Sequence, residues 1–244
     1  RKELIEKDPK SEEIIRPILR GRDIKRYNYE FADLYLLFIP WHFPLHNDTS
    51  IVGASEKAEQ EFENQYPAIY NHLLKYKNQL SNRNKAETGI RYEWYALQRW
   101  GANYWEDFYK PKIVWKRIGS ILRFAYDDRK CFTLDSTCFA TGNNVIYLVA
   151  VLNSKLGNYL LQNSPKTGTG DLLISVQAIE PIRVPIIPED IEYEFRELVN
   201  SMLICSDAQN VKFETLINQK VYELYGLVDD EIKFIETQYI QFPR

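Results

Sequence analysis

The segment from Tyr66 to Ile118 constrains the fold most, because its residue pattern changes from helical to β within a single stretch. Pro67 stands near its start, and the apolar residues that follow recur at helical spacing, which predicts a short helix. A basic loop and an aromatic run come next, and Pro111 then opens a segment rich in β-branched and aromatic residues. Because it joins both patterns, the segment predicts an α+β fold in which a mixed, mostly antiparallel sheet packs against helices.

The rest of the chain supplies further strands and helices for that fold. Apolar runs bounded by Pro, Gly or Asn predict strands, and apolar stripes at helical spacing predict helices. The predicted strands cover 14–19, 34–39, 112–118, 121–126 and 181–188, with more β material at 131–140 and a hairpin turn at Gly119-Ser120. The predicted helices begin at Ser55, at Pro67, at Val145 (running to Leu161) and after Glu189, with a single helical turn at 23–27 capped by Asp23.

The charge of the chain is unevenly distributed, although the formal net charge is only −3. Residues 71–130 hold 13 Lys and Arg against 6 Asp and Glu, whereas residues 181–244 hold 6 against 12. A phosphate backbone responds to the surface that it meets and not to the sum over the chain. The middle of the chain is therefore a candidate for contact with nucleic acid, and the acidic tail is expected to pack on protein. The alternative is that the basic residues are scattered around the fold and form no common face.

Aromatic rings alternate with Arg, Lys and Gln within this basic segment. Cations contact phosphates, while Gln pairs with adenine edges and Arg with guanine edges. We expect phosphate contacts from Lys85, Arg91, Lys116, Arg117 and Lys166, and base contacts from Arg83, Gln98, Arg99 and Tyr95. Lys166 and Thr167 lie in a Gly-rich loop that lacks the spacing of a nucleotide-binding P-loop but suits phosphate contact or insertion into a groove. Solvated charges, core aromatics and a plain surface loop are the structural alternatives.

The sequence shows no sign of a catalytic or metal site. Its 3 Cys are widely spaced and form no Cys-x-x-Cys pair, which argues against a disulfide framework or structural zinc and for a reduced, cytoplasmic compartment. His42 and His46 sit four apart, the spacing of a helical metal pair, but Pro44 between them opposes a helix. Neither a signal peptide nor an apolar run of membrane-spanning length occurs. We therefore expect no catalytic residue, no cofactor, no metal and no membrane contact in this chain.

Six segments, taken in order, carry a family resemblance. They are ILRGRDIKRY, YPAIYNHLLKYKNQLSNR, FYKPKIVWKRI, YLVAVLNSKL, PIRVPIIP and VYELYGLVDDEIKFIE, of which YGL followed by an acidic helix is the most distinctive. The ordered set resembles the TaqI-like C-terminal specificity domain of adenine-N6 DNA methyltransferases and of type IIG restriction-modification enzymes. The resemblance implies a target-recognition-domain-like fold that reads several base pairs of double-stranded DNA. A separate domain would transfer a methyl group from S-adenosylmethionine.

The resemblance also implies how the chain is organised. Residues 1–13 are expected to be a linker from a missing catalytic part, 14–188 an α/β DNA target recognition domain, and 189–244 a C-terminal acidic helical segment. An adenine methyltransferase of this kind needs a Pro-Pro dipeptide to hold the flipped base, and none occurs here. The chain alone is therefore expected to have no activity.

The whole protein, on the same resemblance, is expected to be a site-specific adenine DNA methyltransferase that uses S-adenosylmethionine, with Mg²⁺ if it also cleaves DNA. Three alternatives stay open. The chain could be a protein-interaction or subunit-docking module, a DNA specificity subunit of a type I system, or an enzyme with an unrecognised site.

Overall fold

The computed structural model describes residues 1–204 and 207–238, and it confirms an α+β fold. The chain divides into two compact units, each made of two separated stretches. Unit 1 consists of Arg1–Pro17 and Tyr35–Glu106, and unit 2 consists of Ile18–Leu34 and Asp107–Arg244. Residues 1–13 belong to unit 1, and the acidic helices belong to unit 2.

Unit 1 surrounds a short antiparallel strand pair with helices. Its elements are α1 (Lys2–Lys7), a 3-10 helix (Pro9–Ile14), β1 (Ile15–Leu19, whose last two residues belong to unit 2), β2 (Tyr35–Leu37), α2 (Glu56–Gln65), α3 (Pro67–Leu74) and α4 (Lys77–Ser81). β1 pairs with β2, with Ile15 opposite Leu37. The strand predicted at 34–39 is therefore present but shorter, and it is half-buried where burial on both faces was expected.

Two helix starts in unit 1 are confirmed, each for the expected reason. The Ser55 hydroxyl caps α2 by accepting a hydrogen bond from the Ala58 amide at 3.2 Å. Pro67 begins α3. Proline lacks an N–H, but an N–H at the first position of a helix would have no partner within the helix. Rings from these helices enter an aromatic core, in which Phe62 stacks on Tyr95 with ring centroids 4.5 Å apart.

Unit 2 combines short strands with most of the longer helices. Its elements are a 3-10 helix (Gly21–Asp23), a second 3-10 helix (Trp105–Tyr109) that begins in unit 1, β3 (Lys112–Lys116), β4 (Ile118–Gly119), β5 (Phe124–Asp127), β6 (Phe132–Thr133), β7 (Thr137–Thr141), α5 (Val145–Asn153), α6 (Lys155–Leu161), β8 (Leu172–Leu173), α7 (Val176–Ile179), α8 (Glu189–Ile204), α9 (Asp207–Leu224) and α10 (Asp229–Gln238). β3 lies between β5 and β7 and is antiparallel to both. β4 pairs with β8, and the last two residues of β1 pair in parallel with β6.

α5 is the apolar centre of unit 2. Nearly all of its residues are buried, and it packs against β3, β5 and α8. The single helix predicted from Val145 to Leu161 is wrong in one respect, because it breaks at Ser154. The Ser154 hydroxyl accepts a hydrogen bond from the Gly157 amide at 3.1 Å and so caps α6. Gly157 makes the break possible, since an added Cβ would lie 2.8 Å from Leu152 Cα.

A fully buried ion pair ties β3 to β5. Lys112 Nζ lies 2.6 Å from Asp127 Oδ2, and neither side chain is exposed. The carboxylate also accepts hydrogen bonds from the Tyr29 hydroxyl at 2.7 Å and the Cys131 amide at 3.0 Å, while the ammonium donates to the Phe108 carbonyl at 2.7 Å. Each buried charge therefore has the partners that burial demands. Burial in the same place raises the pKa of the Cys131 thiol to about 12.

Three other predicted features differ from the structure. β3 and β5 form the predicted antiparallel pair, but the connection is wider than a turn at Gly119-Ser120, because β4 leaves to pair with β8. The helical turn expected after Asp23 is a 3-10 turn that ends there, and the Asp23 carboxylate accepts from the Arg20 amide at 2.9 Å. Residues 181–188 form no strand.

Candidate nucleic-acid interface

Three of the predicted phosphate-contact residues lie close together in unit 2. Lys116 and Arg117 stand at the end of β3 and before β4, and β4 pairs with β8 so that Gly119 lies opposite Leu172. Lys166 is bridged to Leu172 in turn. Two strand spacings, about 10 Å, therefore separate the backbones of Lys166 and Gly119. We call this arrangement of Lys116, Arg117 and Lys166 the basic ladder. All three side chains are exposed, and none has an ion-pair partner in residues 1–204 and 207–238.

Two glycines set the position of the Lys116 side chain. A Cβ added to Gly21 would lie only 2.9 Å from Lys116 Cγ, and one added to Gly119 would lie 3.7 Å from Lys116 Nζ. The lysine stem therefore lies over Gly21 and reaches toward Gly119. Gly21 is needed for this close approach, since a side chain at that position would occupy the space that the stem fills.

The Gly-rich loop keeps Lys166 exposed but uses Thr167 internally. The Thr167 amide donates to the Asp171 carbonyl at 2.8 Å, and its hydroxyl lies 2.8 Å from that of Thr169. Gly170 closes the loop at φ +87°, a conformation that suits glycine. Thr167 therefore stabilises the loop, and the loop leaves the Lys166 side chain exposed to solvent.

Arg83 and Tyr95, both predicted to contact bases, hold unit 1 together. Arg83 Nη2 donates to the carbonyls of Trp94, at 3.1 Å, and Ala96. Tyr95 is 3 % exposed, and its hydroxyl donates to the Phe43 carbonyl at 3.0 Å. The prediction is corrected for Tyr95, because a ring in the core cannot meet a base. Arg83 is exposed, and its base contact stays a prediction.

Arg91 and Arg99 share the carboxylate of Glu87. Arg91 Nη1 lies 2.9 Å from Glu87 Oε1, and Arg99 Nη1 lies 3.2 Å from Glu87 Oε2. Asn84 Nδ2 donates to Oε2 at 2.8 Å, and the Gln98 carbonyl accepts from Arg99 at 2.9 Å. The hydrogen bond from Arg99 is the main reason why the pKa of Glu87 lies below its ordinary value. We call Glu87, Arg91 and Arg99 the Glu87 cluster.

The structure therefore groups the predicted contact residues within each unit. Gln98 is half-buried beside the Glu87 cluster, and Lys85 is exposed in the turn after α4 with no ion-pair partner in the described part of the chain.

The sequence-based reasoning did not single out Glu87. Its position four residues before Arg91 is the spacing of a helical ion pair and was the available signal.

His42 and His46 do not form a metal-binding pair. His42 Nδ1 lies 2.9 Å from Glu93 Oε1, whereas the His46 ring stacks on Phe43 at 5.6 Å between centroids. Among the described residues, no group of three or more His, Cys, Asp or Glu is arranged to hold a metal ion. Within the same residues, no helix has both the length and the apolar character needed to cross a bilayer.

The fold and the basic ladder define the class of this molecule as an α+β protein that presents exposed cations beside paired strands. The family model of the TaqI-like C-terminal specificity domain matches residues 16–182, which is more than half of the chain. The chain belongs to this family, as the resemblance in its sequence indicated. The distinctive string VYELYGLVDDEIKFIE lies beyond the matched residues.

Two known proteins are similar to this chain. The type II methyltransferase M.MjaIV of Methanocaldococcus jannaschii is 22% identical over 200 residues, which cover 78% of this chain and 61% of that protein. The type IIL restriction-modification enzyme MmeI, solved in complex with DNA, shares the fold with a TM-score of 0.59 at 14% identity, over 98% of this chain and 32% of that one. The chain therefore spans about three fifths of the methyltransferase (61%) and about a third of the MmeI chain (32%).

Proposed function

We propose that this chain is the part of an adenine DNA methyltransferase that recognises a specific sequence in double-stranded DNA. The main support is the basic ladder, whose three cations stand exposed beside paired strands without carboxylate partners among the described residues. Cations placed in this way suit the regularly spaced phosphates of a duplex. The family, the methyltransferase relative and the fold shared with an enzyme solved in complex with DNA agree with this proposal.

The contacts of each side chain suggest a division of roles. Lys85, Lys116, Arg117 and Lys166 would bind phosphates, because they are exposed and have no carboxylate beside them. Arg99, with Gln98 next to it, would read bases, because its guanidinium is both exposed and held in place. Arg91 would support Arg99 through their shared carboxylate.

Methyl transfer would take place in another domain of the whole protein. A methyltransferase domain of the same protein would bind S-adenosylmethionine and the flipped adenine, in a type IIG arrangement in which one protein both methylates and, with Mg²⁺, cleaves DNA. We expect this chain alone to give neither methyl incorporation nor nicks when incubated with duplex DNA, S-adenosylmethionine and Mg²⁺. Mapping adenine methylation in the source genome with and without the gene would identify the target sequence.

The phosphate role of the basic ladder is tested by the salt dependence of binding. A duplex is first selected by the chain from a pool with a randomised centre, and a shuffled duplex serves as the non-specific probe. Lys116→Ala should weaken binding to both duplexes alike and reduce the slope of log K against log salt by about 0.9. Lys233→Ala is the matched control, because it removes the same charge from an exposed position on the acidic α10. Equal effects of the two substitutions would contradict the phosphate role, and failure to select any sequence would contradict the proposed function.

A further inference from the structure

The Glu87 cluster has an unusual division of exposure. The Arg91 and Arg99 side chains are 58% and 68% exposed, whereas that of the carboxylate they share is only 14% exposed. The Glu87 side chain is fixed by Asn84, and its backbone carbonyl accepts from the Arg91 amide at 2.8 Å. The Glu87 carboxylate is therefore held in place, and the two guanidinium groups paired with it extend into solvent.

Among residues 1–204 and 207–238, one edge of the Arg99 guanidinium group has no hydrogen-bond partner. The group has five N–H donors. Nη1 donates to Glu87 and to the Gln98 carbonyl, and Nη2 donates to Glu87 at 3.4 Å. The remaining donors are Nε–H and the second hydrogen of Nη2, which point in parallel from the same edge. Such a fork matches two neighbouring acceptors, for example O6 and N7 of guanine.

Arg91 is braced on its other side by stacked rings. Its guanidinium lies over the Trp41 ring at 5.3 Å, and Trp41 stacks on Tyr92 with centroids 5.0 Å apart. The Tyr92 ring is fully buried in the core of unit 1. Trp41 thus connects the Glu87 cluster to the core of unit 1, and Glu87 itself lies in the turn that follows α4.

We propose that Glu87 is a positioning residue that sets the sequence discrimination of this domain. It holds Arg99 so that the free Nε–Nη2 edge faces a base, and its negative charge offsets part of the attraction that two arginines would exert on any phosphate. This inference rests on the proposed function. Without the carboxylate, both arginines are free to pair with phosphates of any sequence, so specific binding weakens while non-specific binding strengthens.

The test compares Glu87→Ala with wild type on the selected and the shuffled duplex. Binding to the selected duplex should weaken, binding to the shuffled duplex should tighten, and the ratio of the two should fall at least about fivefold, the smallest effect of a lost bidentate base contact. Glu87→Asp keeps the charge and part of the geometry, so it should restore part of the discrimination. Far-ultraviolet circular dichroism and the thermal midpoint should stay near wild type, because the arginine side of each pair is exposed to solvent.

Glu63→Ala is the charge-matched control, since Glu63 is exposed on α2 in the same unit. If Glu87→Ala changes the two duplexes only as Glu63→Ala does, the effect is one of net charge and the positioning role is refuted. An unchanged ratio for Glu87→Ala would refute it as well. Failure of the proposed function is distinguishable, because the wild-type chain would then select no duplex.

Discussion

The buried pair of Lys112 and Asp127 should be the most sensitive point of unit 2. Both side chains are completely buried, and the two charged atoms are 2.6 Å apart. Removing one partner leaves the other charge without compensation, which costs about 3–5 kcal/mol. That is a large share of the roughly 5–15 kcal/mol that stabilises a domain. Lys112→Met and Asp127→Asn should each lower the free energy of unfolding by this amount.

The double variant gives the decisive comparison. With both charges gone, the Asn side chain at 127 can still accept from the Tyr29 hydroxyl, so Lys112→Met with Asp127→Asn should be less damaging than the sum of the single changes. Urea unfolding followed by circular dichroism measures the free energies, and hydrogen exchange of the β3 and β5 amides locates the loss in unit 2. Single losses below about 1 kcal/mol, the value of an exposed pair, would refute the reasoning, as would strictly additive losses.

Three further predictions concern the core and the basic ladder. Gly21→Ala should displace the Lys116 stem and reduce the salt slope of DNA binding as Lys116→Ala does; an unchanged slope would show that the stem can move without loss. Tyr95→Phe removes one buried hydrogen bond and should lower the free energy of unfolding by about 1 kcal/mol, with no change in the ratio of affinities for selected and shuffled duplex. The Cys131 thiol has its pKa raised from 9.0 to about 12, so the stability that it contributes is complete below pH 9 and is lost as the pH rises toward 12. Cys131→Ala should make urea-measured stability fall less steeply over that range, and an identical fall would contradict the assignment.

The sequence predicted the α+β class and several helix starts because those depend on local chemistry. Ser55 and Pro67 act through bonds within one turn, so a linear pattern contains the information. The break at Ser154 was missed because the apolar pattern continues across it. α5 ends at the Ser154 cap, where Gly157 closely approaches the preceding turn, and neither feature interrupts the apolar pattern of the sequence.

The candidate site was harder to predict, because residue type does not reveal what a side chain contacts. Lys116 and Lys166 are 50 positions apart in the numbering and come together only through the pairing of β4 with β8. Tyr95 has the chemistry of a base-stacking residue, but its ring is buried in the core of unit 1. Lys112 was one of the basic residues counted in favour of a DNA surface, yet its ammonium is sealed inside unit 2. Long-range contacts decided each of these outcomes.

The interleaving of the two units has a consequence for how such domains can evolve. The chain passes between them after Pro17, after Leu34 and after Glu106, so neither unit is one continuous block of gene sequence. A single recombination event within Tyr35–Glu106 would join parts of two different parents inside unit 1. Exchange of one intact unit between relatives needs breakpoints at all three crossings at once. We therefore expect the two units to be inherited together, and new specificities to arise by point substitution more readily than by shuffling.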